Sequence, residues 1–514
     1  MKARLRGGFP YEGRPAFCMA VVAGVLAYGA TRPLTFSLMA GLFLVSALSA
    51  VWQPLPNRRL RNLALLTVAL AAALIGWSLL QTLPLGLGDA LGLEDAAARI
   101  VPPGPGAISV DPGRTLYAIP AAVLPLLVFV TTFILFRREE SAFFLVQFLA
   151  GLGVVLAVIG IPQFLFDPGH ILLIPKVAYP ESLTGSFINR NTAAAFFGCA
   201  ALLCAAVAAT PRQANERWRP PPPPGEPVRM PLRLSAQAYA GIWLVGAGAC
   251  LTALLLTQSR AGIAVFLSGV FVFSAIRLWT YLRRKEVPVA KRLAAMLGLS
   301  VLLAIAGIVV AGRALLRFQL AGLDSARWCA YRSTVRAIGD HVWFGTGLGT
   351  FPVVFPAYRA ADCAPAARWE TAHSTYLEGY MALGLPFLFA LVLVFVVVTH
   401  ILITGIRSRR RMRNVPIAGA AVSTLVALHS LIDFPLQVPG FAAYFSAALG
   451  ACTAVALGRA SSGAERRQET ARPPVRPPSA GAKGKRGNRP RFPTRELARS
   501  PASAAPLRPD PEGQ

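Results

Sequence analysis

The chain has 514 residues, 55% of them hydrophobic and only 14% charged, with a mean hydropathy of +0.54 and a formal net charge of +28. Soluble domains carry about 25% charged residues, so the composition excludes a string of soluble domains and points to an integral membrane protein. The basic excess does not point to nucleic acid, because it lies between apolar runs and in the tail after residue 458, with no DNA- or RNA-binding motif around it.

Apolar runs of about 20 residues, each long enough to cross a bilayer as a helix, predict twelve spans. They fall at roughly 16–30, 34–52, 62–83, 115–136, 141–166, 191–210, 237–257, 261–280, 293–312, 375–405, 415–433 and 438–458. The N-terminus, MKARLRGGFPYEGRPAFC, is basic and then apolar with no small-residue cleavage site, and reads as a retained signal anchor. The first span is short enough to form a re-entrant hairpin with the second. No internal repeat is visible.

The connecting charges order these spans. With the N-terminus cytoplasmic, the inside loops are PNRRLRN, FRREES, the stretch from Arg212 to Arg233, YLRRKEVPVAKR, RSRRRMRN and the tail. All but FRREES carry a clear Lys/Arg excess, as the positive-inside rule requires. Both termini are then cytoplasmic. Residues 1–458 form a polytopic membrane region, and residues 459–514, rich in Arg, Lys, Pro, Ser and Ala, form a disordered basic tail able to meet anionic lipids of the inner membrane. The five prolines at 220–224 make a stiff spacer in an inside loop.

Three longer segments fall outside, at about 84–114, 167–190 and 313–374. The last is a large periplasmic loop with seven arginines, Arg313, Arg317, Arg327, Arg332, Arg336, Arg359 and Arg368. Long loops translocate regardless of charge, but so many cations call for a ligand, and an anion is the natural one. Five cysteines fall inside spans and read as small apolar packing residues. Cys329 and Cys363 both fall in the large loop, where an oxidising periplasm permits a disulfide.

The unusual polar residues converge on the same outer face: Asn189-Arg190-Asn191, Arg260, the loop arginines, His373, and His429 with Asp433. Arg260 stands where two spans meet, and charge near the membrane is a functional signal by default. In DSARWCAYRSTVRAIGDH, which reads as a helix, Arg332 and Arg336 share a face, while Arg327 sits about 140° around from Arg332. Guanidinium forks suit phosphate oxygens. GTGLGTF, at 345–351, lacks a P-loop lysine and reads as a close backbone turn rather than a nucleotide site. His429 and Asp433, at i and i+4, share a helix face. Two such ligands do not make a metal site, and a helix-end hydrogen bond is the plainer role. No metal and no cofactor are expected.

Together, in this order, ISVDPGRT (108–115), TGSFINRNTAAAFFG (184–198), TQSRAG (257–262), RWCAYRSTVRAIGDHVWFGTGLGTF (327–351), AHSTYLEGYMALGLP (372–386) and LHSLIDFPL (428–436) resemble the O-antigen ligase and polymerase family of bacterial envelope glycan enzymes. The resemblance spans about 108–440. It implies an all-α, GT-C-like membrane transferase of the inner membrane, which moves a glycan from an undecaprenyl diphosphate carrier to an acceptor sugar hydroxyl, on a glycan or lipid, at the periplasmic face. It assigns the catalytic histidine to His373 and the diphosphate-binding arginines to Arg260, Arg327 and Arg332. Asn189, Arg190, Arg336, His429 and Asp433 are candidate accessory residues. The chain departs from the pattern at Ser374, Ala382 and Thr192, where the family often has Asn, Glu and His.

Elementary chemistry agrees with that reading. A lipid diphosphate leaving group needs charge neutralisation, which arginines provide. A sugar hydroxyl needs a base, and histidine titrates near pH 6.5. The carrier linkage stores the driving energy, so direct, inverting, metal-independent transfer is expected. Ligase and polymerase both fit, the ligase by its overall motif pattern. A transporter or flippase fits less well, because ionisable residues are nearly absent from the span centres. A hydrolase lacks the paired carboxylates it needs.

Overall fold

The computed structural model describes residues 13–55, 57–86, 106–210, 235–318, 323–360, 363 and 369–458. Arg368, the proline run at 220–224 and the tail from 459 lie outside them, as do the side chains of Arg313 and Arg317.

Fifteen α-helices account for nearly all the regular structure among the described residues. In chain order they are α1 (Gly13–Leu26), α2 (Pro33–Val51), α3 (Arg58–Thr82), α4 (Pro112–Leu135), α5 (Glu139–Phe166), α6 (Arg190–Ala208), α7 (Ala236–Leu256), α8 (Arg260–Arg284), α9 (Val289–Phe318), α10 (Leu323–Asp340), α11 (Phe351–Tyr358), α12 (Thr375–Leu383), α13 (Leu385–Ser408), α14 (Asn414–Ile432) and α15 (Pro439–Leu457). The one sheet among the described residues pairs β1 (His170–Ile171) antiparallel with β2 (Ile174–Pro175) after α5.

Eleven of these helices are long and apolar enough to cross a membrane. The chain is therefore a multi-pass membrane protein. The first expected span, α1, has only 14 residues. At about 1.5 Å per residue it falls short of a 30 Å hydrocarbon core. It nevertheless runs the depth of the bundle. The Arg14 guanidinium donates to the Leu135 carbonyl at one end, and Val25 accepts from Ser186 Oγ at the other.

The expected span 375–405 is corrected: it is two helices. Gly384 breaks it with φ 67° and ψ −154°, and a side chain there would strike the Trp343 carbonyl. Only α13 is a membrane span, while α12 is a short helix that positions the residues before it.

The middle of the bundle belongs to α6 and α15, almost wholly buried. Both are rich in Ala, and small residues let helices approach closely where no water drives association. Helix α15 packs against α1, α4, α5, α13 and α14, and α6 packs against α5, α7, α8 and α14. Tyr444 on α15 lies tilted against Phe196 on α6, with centroids 4.7 Å apart, and its hydroxyl donates to the Leu149 carbonyl. Asn57, Asp111, Asn189, Ser235, Ser259 and Ser374 cap helix N-termini by accepting a backbone N–H of the first turn, the usual role of these side chains.

One end of the bundle gathers the connections rich in arginine, with Arg58, Arg59, Arg61, Arg138, Arg283, Arg284 and Arg409 to Arg411. The opposite end gathers the loop before α6, the α7–α8 turn, α10 to α12 and the α14–α15 connection. The candidate site is built there.

Candidate functional site

Three helix ends converge on one carboxylate. Asp433 follows the last residue of α14, where its N–H caps the His429 carbonyl at 2.9 Å, and its side chain is 1% exposed. The Asn191 carboxamide, in the first turn of α6, donates to Asp433 Oδ2. The Phe434 N–H donates to Oδ1 at 2.8 Å. Ser259, the N-cap of α8, donates through Oγ to Asn191 Oδ1 at 2.7 Å. Arg327 on α10 reaches within 3.9 Å of Asp433 Oδ2 and stays about one-third exposed. A buried carboxylate survives only when paired and hydrogen-bonded, and Asp433 is both.

His373 lies on the adjoining loop. The Thr375 N–H donates to the Asp433 carbonyl at 3.3 Å, which joins the two segments. Ser374 caps α12 and donates to the Ser430 carbonyl. His373 itself has φ 52°, a left-handed conformation that side chains other than glycine rarely adopt. Tyr331, one turn after Arg327 on α10, donates its hydroxyl to the His373 carbonyl at 3.1 Å. The imidazole stands edge-on between Trp369 and Phe434, with centroids 5.6 and 5.3 Å away, and its Nδ1 is buried without a hydrogen-bond partner. Burial pushes the His373 pKa down, Asp433 pulls it back up, and Arg327 adds to the depression. The ring is therefore neutral at neutral pH.

Other expected site residues have separate roles. Asn189 is the N-cap of α6 and accepts from the Asn191 N–H. Arg190 turns toward the loop before α6, over the Tyr179 ring at 5.1 Å, with an Nη1 contact to Ser182 Oγ. Arg332 and Arg336 lie on the exposed face of α10, apart from the Arg327–Tyr331 face that meets Asp433 and His373. Arg260 is the first residue of α8, exposed, directly after Ser259. His429 is fully buried one turn before Asp433. Cys329 and Cys363 are disulfide-bonded, with Cα atoms 5.7 Å apart, fastening α10 to the segment after α11. Among the described residues no three His, Cys, Asp or Glu side chains come together as a metal site.

The glycine-rich turn meets the protein's own backbone. The N–H groups of Thr346 and Gly347 donate to Met381 and Ala382, and the Leu385 N–H donates to Trp343. Gly345, Gly347 and Gly349 all have positive φ. Val110 donates to the Thr346 carbonyl, and Gln81 on α3 bonds both Phe344 and Ala382. ISVDPGRT and GTGLGTF are thus halves of one clasp that fixes the far end of α12, whose near end carries His373.

Sequence reasoning missed Ser259, Tyr331, Trp369, Phe434 and Glu378. Tyr331 had a signal, since it lies four residues after Arg327 on the same helix face. Ser259 reads locally as an N-cap and nothing more. Trp369 and Phe434 lie close in sequence to His373 and Asp433, but only packing brings both rings against the imidazole; Glu378 is buried near the start of α12.

Residues 245–392 match the family model described as O-antigen ligase. The match includes Arg260, Arg327, Arg332, Arg336 and His373. Asn191, His429 and Asp433 lie outside it and join the site through the fold. A search of the curated proteins finds no match to the chain.

Proposed function

We propose that the protein is a membrane glycosyltransferase of the O-antigen ligase type. In this reading it takes a glycan from an undecaprenyl diphosphate carrier and transfers it to an acceptor hydroxyl in envelope polysaccharide biosynthesis. The observation that carries the reading is the neutral, half-buried His373 imidazole with an unpartnered Nδ1 beside the Arg327–Asp433 pair.

In the proposed reaction the acceptor hydroxyl gives its proton to His373 as its oxygen attacks the anomeric carbon. The bond from that carbon to the diphosphate oxygen breaks, and its electron pair leaves with the carrier diphosphate. Arg327, with Arg260 at the start of α8, offsets the charge that develops on the leaving group. A single displacement inverts the anomeric centre and needs no covalent intermediate. Positioned base catalysis contributes about 10²–10⁴-fold, which is the loss expected on removing His373.

The arginine-rich end of the bundle suits the cytoplasmic side of the inner membrane. Both termini are then cytoplasmic and the His373 end faces the periplasm, where the carrier-linked glycan waits. With α1 counted as a twelfth pass, the architecture in this reading is GT-C-like. Polymerisation of carrier-linked repeats is the alternative use of the same chemistry. The family match at 245–392 favours the ligase.

The test is His373→Ala beside Arg327→Ala in purified protein, with transfer read as carrier diphosphate released. Expected is normal accumulation in the membrane with turnover down about a hundredfold or more for His373→Ala. Near-normal turnover in that variant rejects the mechanism. In cells, loss of a ligase leaves long chains on the carrier, and loss of a polymerase leaves single repeats on the acceptor.

A further inference from the structure

One buried carboxyl group touches both segments that build the site. Glu378 lies in the first turn of α12, and its Oε2 accepts the Ala372 N–H at 2.8 Å. The Gln437 side chain lies beside the same carboxyl group, where α12 packs against its turn. Ala372 immediately precedes His373. Gln437 closes the short 3₁₀ turn Pro435–Gln437 that follows Asp433 and Phe434. Glu378 therefore grips the loop of His373 from one side and the turn of Asp433 from the other.

We propose that Glu378 is a positioning residue for the transfer reaction, clamping the His373 loop to the Asp433 turn and so holding the imidazole in its left-handed seat. This rests on the role proposed above for His373.

The backbone makes such a clamp necessary. A left-handed residue with a side chain persists only where its surroundings hold it. Tyr331 holds the His373 carbonyl, and Glu378 holds the N–H of Ala372, the residue before it. Without an acceptor at 378, the Ala372 N–H loses its partner, and the ring is free to leave the gap between Trp369 and Phe434. Misplacement of a reacting group by about 1 Å costs on the order of 10²-fold in rate.

The clamp needs an acceptor, not a charge. A glutamine at 378 keeps an oxygen for the Ala372 N–H. Its amide then meets Gln437, whose Oε1 is buried without a partner and accepts after the Gln437 amide rotates. A methionine keeps the length and apolar stem but offers no useful acceptor. Glu378→Gln and Glu378→Met therefore separate the clamp from simple filling of space.

The experiment compares full-length wild type, His373→Ala, Glu378→Gln and Glu378→Met in detergent. The donor probe is undecaprenyl diphosphate-linked glycan from the same cells, and kcat and KM are read from carrier diphosphate released. Expected for Glu378→Met is a fall in kcat of about 10- to 100-fold with KM within about twofold. Glu378→Gln is expected to recover most of that loss. Unchanged kcat in Glu378→Met, a rise in KM alone, or equal loss in both variants overturns the proposal. So does a Glu378→Met protein that fails to accumulate while Glu378→Gln accumulates, since that marks a role in folding only. Full activity of His373→Ala would reject the mechanism itself, whatever the Glu378 variants do.

Discussion

The Asn191 carboxamide donates to the Asp433 carboxylate while accepting from Ser259 Oγ, so one amide locks the starts of α6 and α8 to the end of α14. Asn191→Ala strands both partners in a buried setting. Such an orphaned group costs about 1–3 kcal/mol. The expected outcome is a lower unfolding temperature in detergent for Asn191→Ala, and a smaller drop for Ser259→Ala, which leaves the Asn191–Asp433 bond intact. Equal stability of Asn191→Ala and wild type would contradict the lock.

The pH dependence of turnover follows from the surroundings of His373. Burial favours the neutral ring and holds its pKa below the usual 6.5. Only the neutral ring accepts a proton, so activity falls as pH drops through that lowered value, and the acid limb lies below pH 6.5. Arg327→Ala removes a repelling cation and is expected to move the limb to higher pH. Asp433→Asn removes an attracting anion and is expected to move it lower. A pH–rate profile of the three proteins reads both signs.

Glu378 gives the fold its own pH response. Burial raises its pKa from 4.5 to about 7, against the opposing pull of the Ala372 N–H and Gln437. The folded state thus binds the proton more tightly than the unfolded state. This stabilising contribution is complete below pH 4.5 and is lost as pH rises through about 7. Glu378→Gln, which cannot ionise, is expected to flatten the unfolding temperature across that window. An unchanged slope would mean that Glu378 does not titrate there.

The clasp at 343–347 and 381–385 allows no side chain at two glycines. Gly345 has φ 71° and Gly384 has φ 67°, and a Cβ at either would press on the backbone of the segment that faces it. Strain of about 1–2 kcal/mol adds to that collision. Gly345→Ala and Gly384→Ala are expected to reduce accumulation in the membrane. Gly298→Ala on α9, with open space around it, is expected to accumulate normally. Western blots of membrane fractions compare the three.

Metal independence is testable directly. Turnover of the purified protein is expected to be unchanged after chelation with EDTA. A loss that one divalent ion restores would require metal chemistry in the transfer step.

Much of this molecule is written in local pattern. Apolar run length points to twelve spans, and eleven helices are long and apolar enough to cross a membrane, because hydrocarbon requires every backbone group to bond within its own helix. Asn189, Ser259 and Ser374 announce helix starts, and Arg327 and His373 stand out as polar residues beside apolar runs. Composition could not show that the run 375–405 holds two helices, because the break depends on the backbone angles of Gly384 and on its fit against Trp343.

The sequence by itself determined the class of the protein and singled out a histidine and several arginines toward one end of the bundle, since each follows from residue type, spacing or motif order. Only the tertiary structure decided which of those residues meet. It joined Asn191, Ser259, Arg327 and Asp433, separated Arg190, Arg332 and Arg336 from them, and set Glu378 between the His373 loop and the Asp433 turn. The partners are up to 242 residues apart in the chain. Their contact depends on how α6, α8, α10 and α14 pack side by side, and no local pattern encodes that.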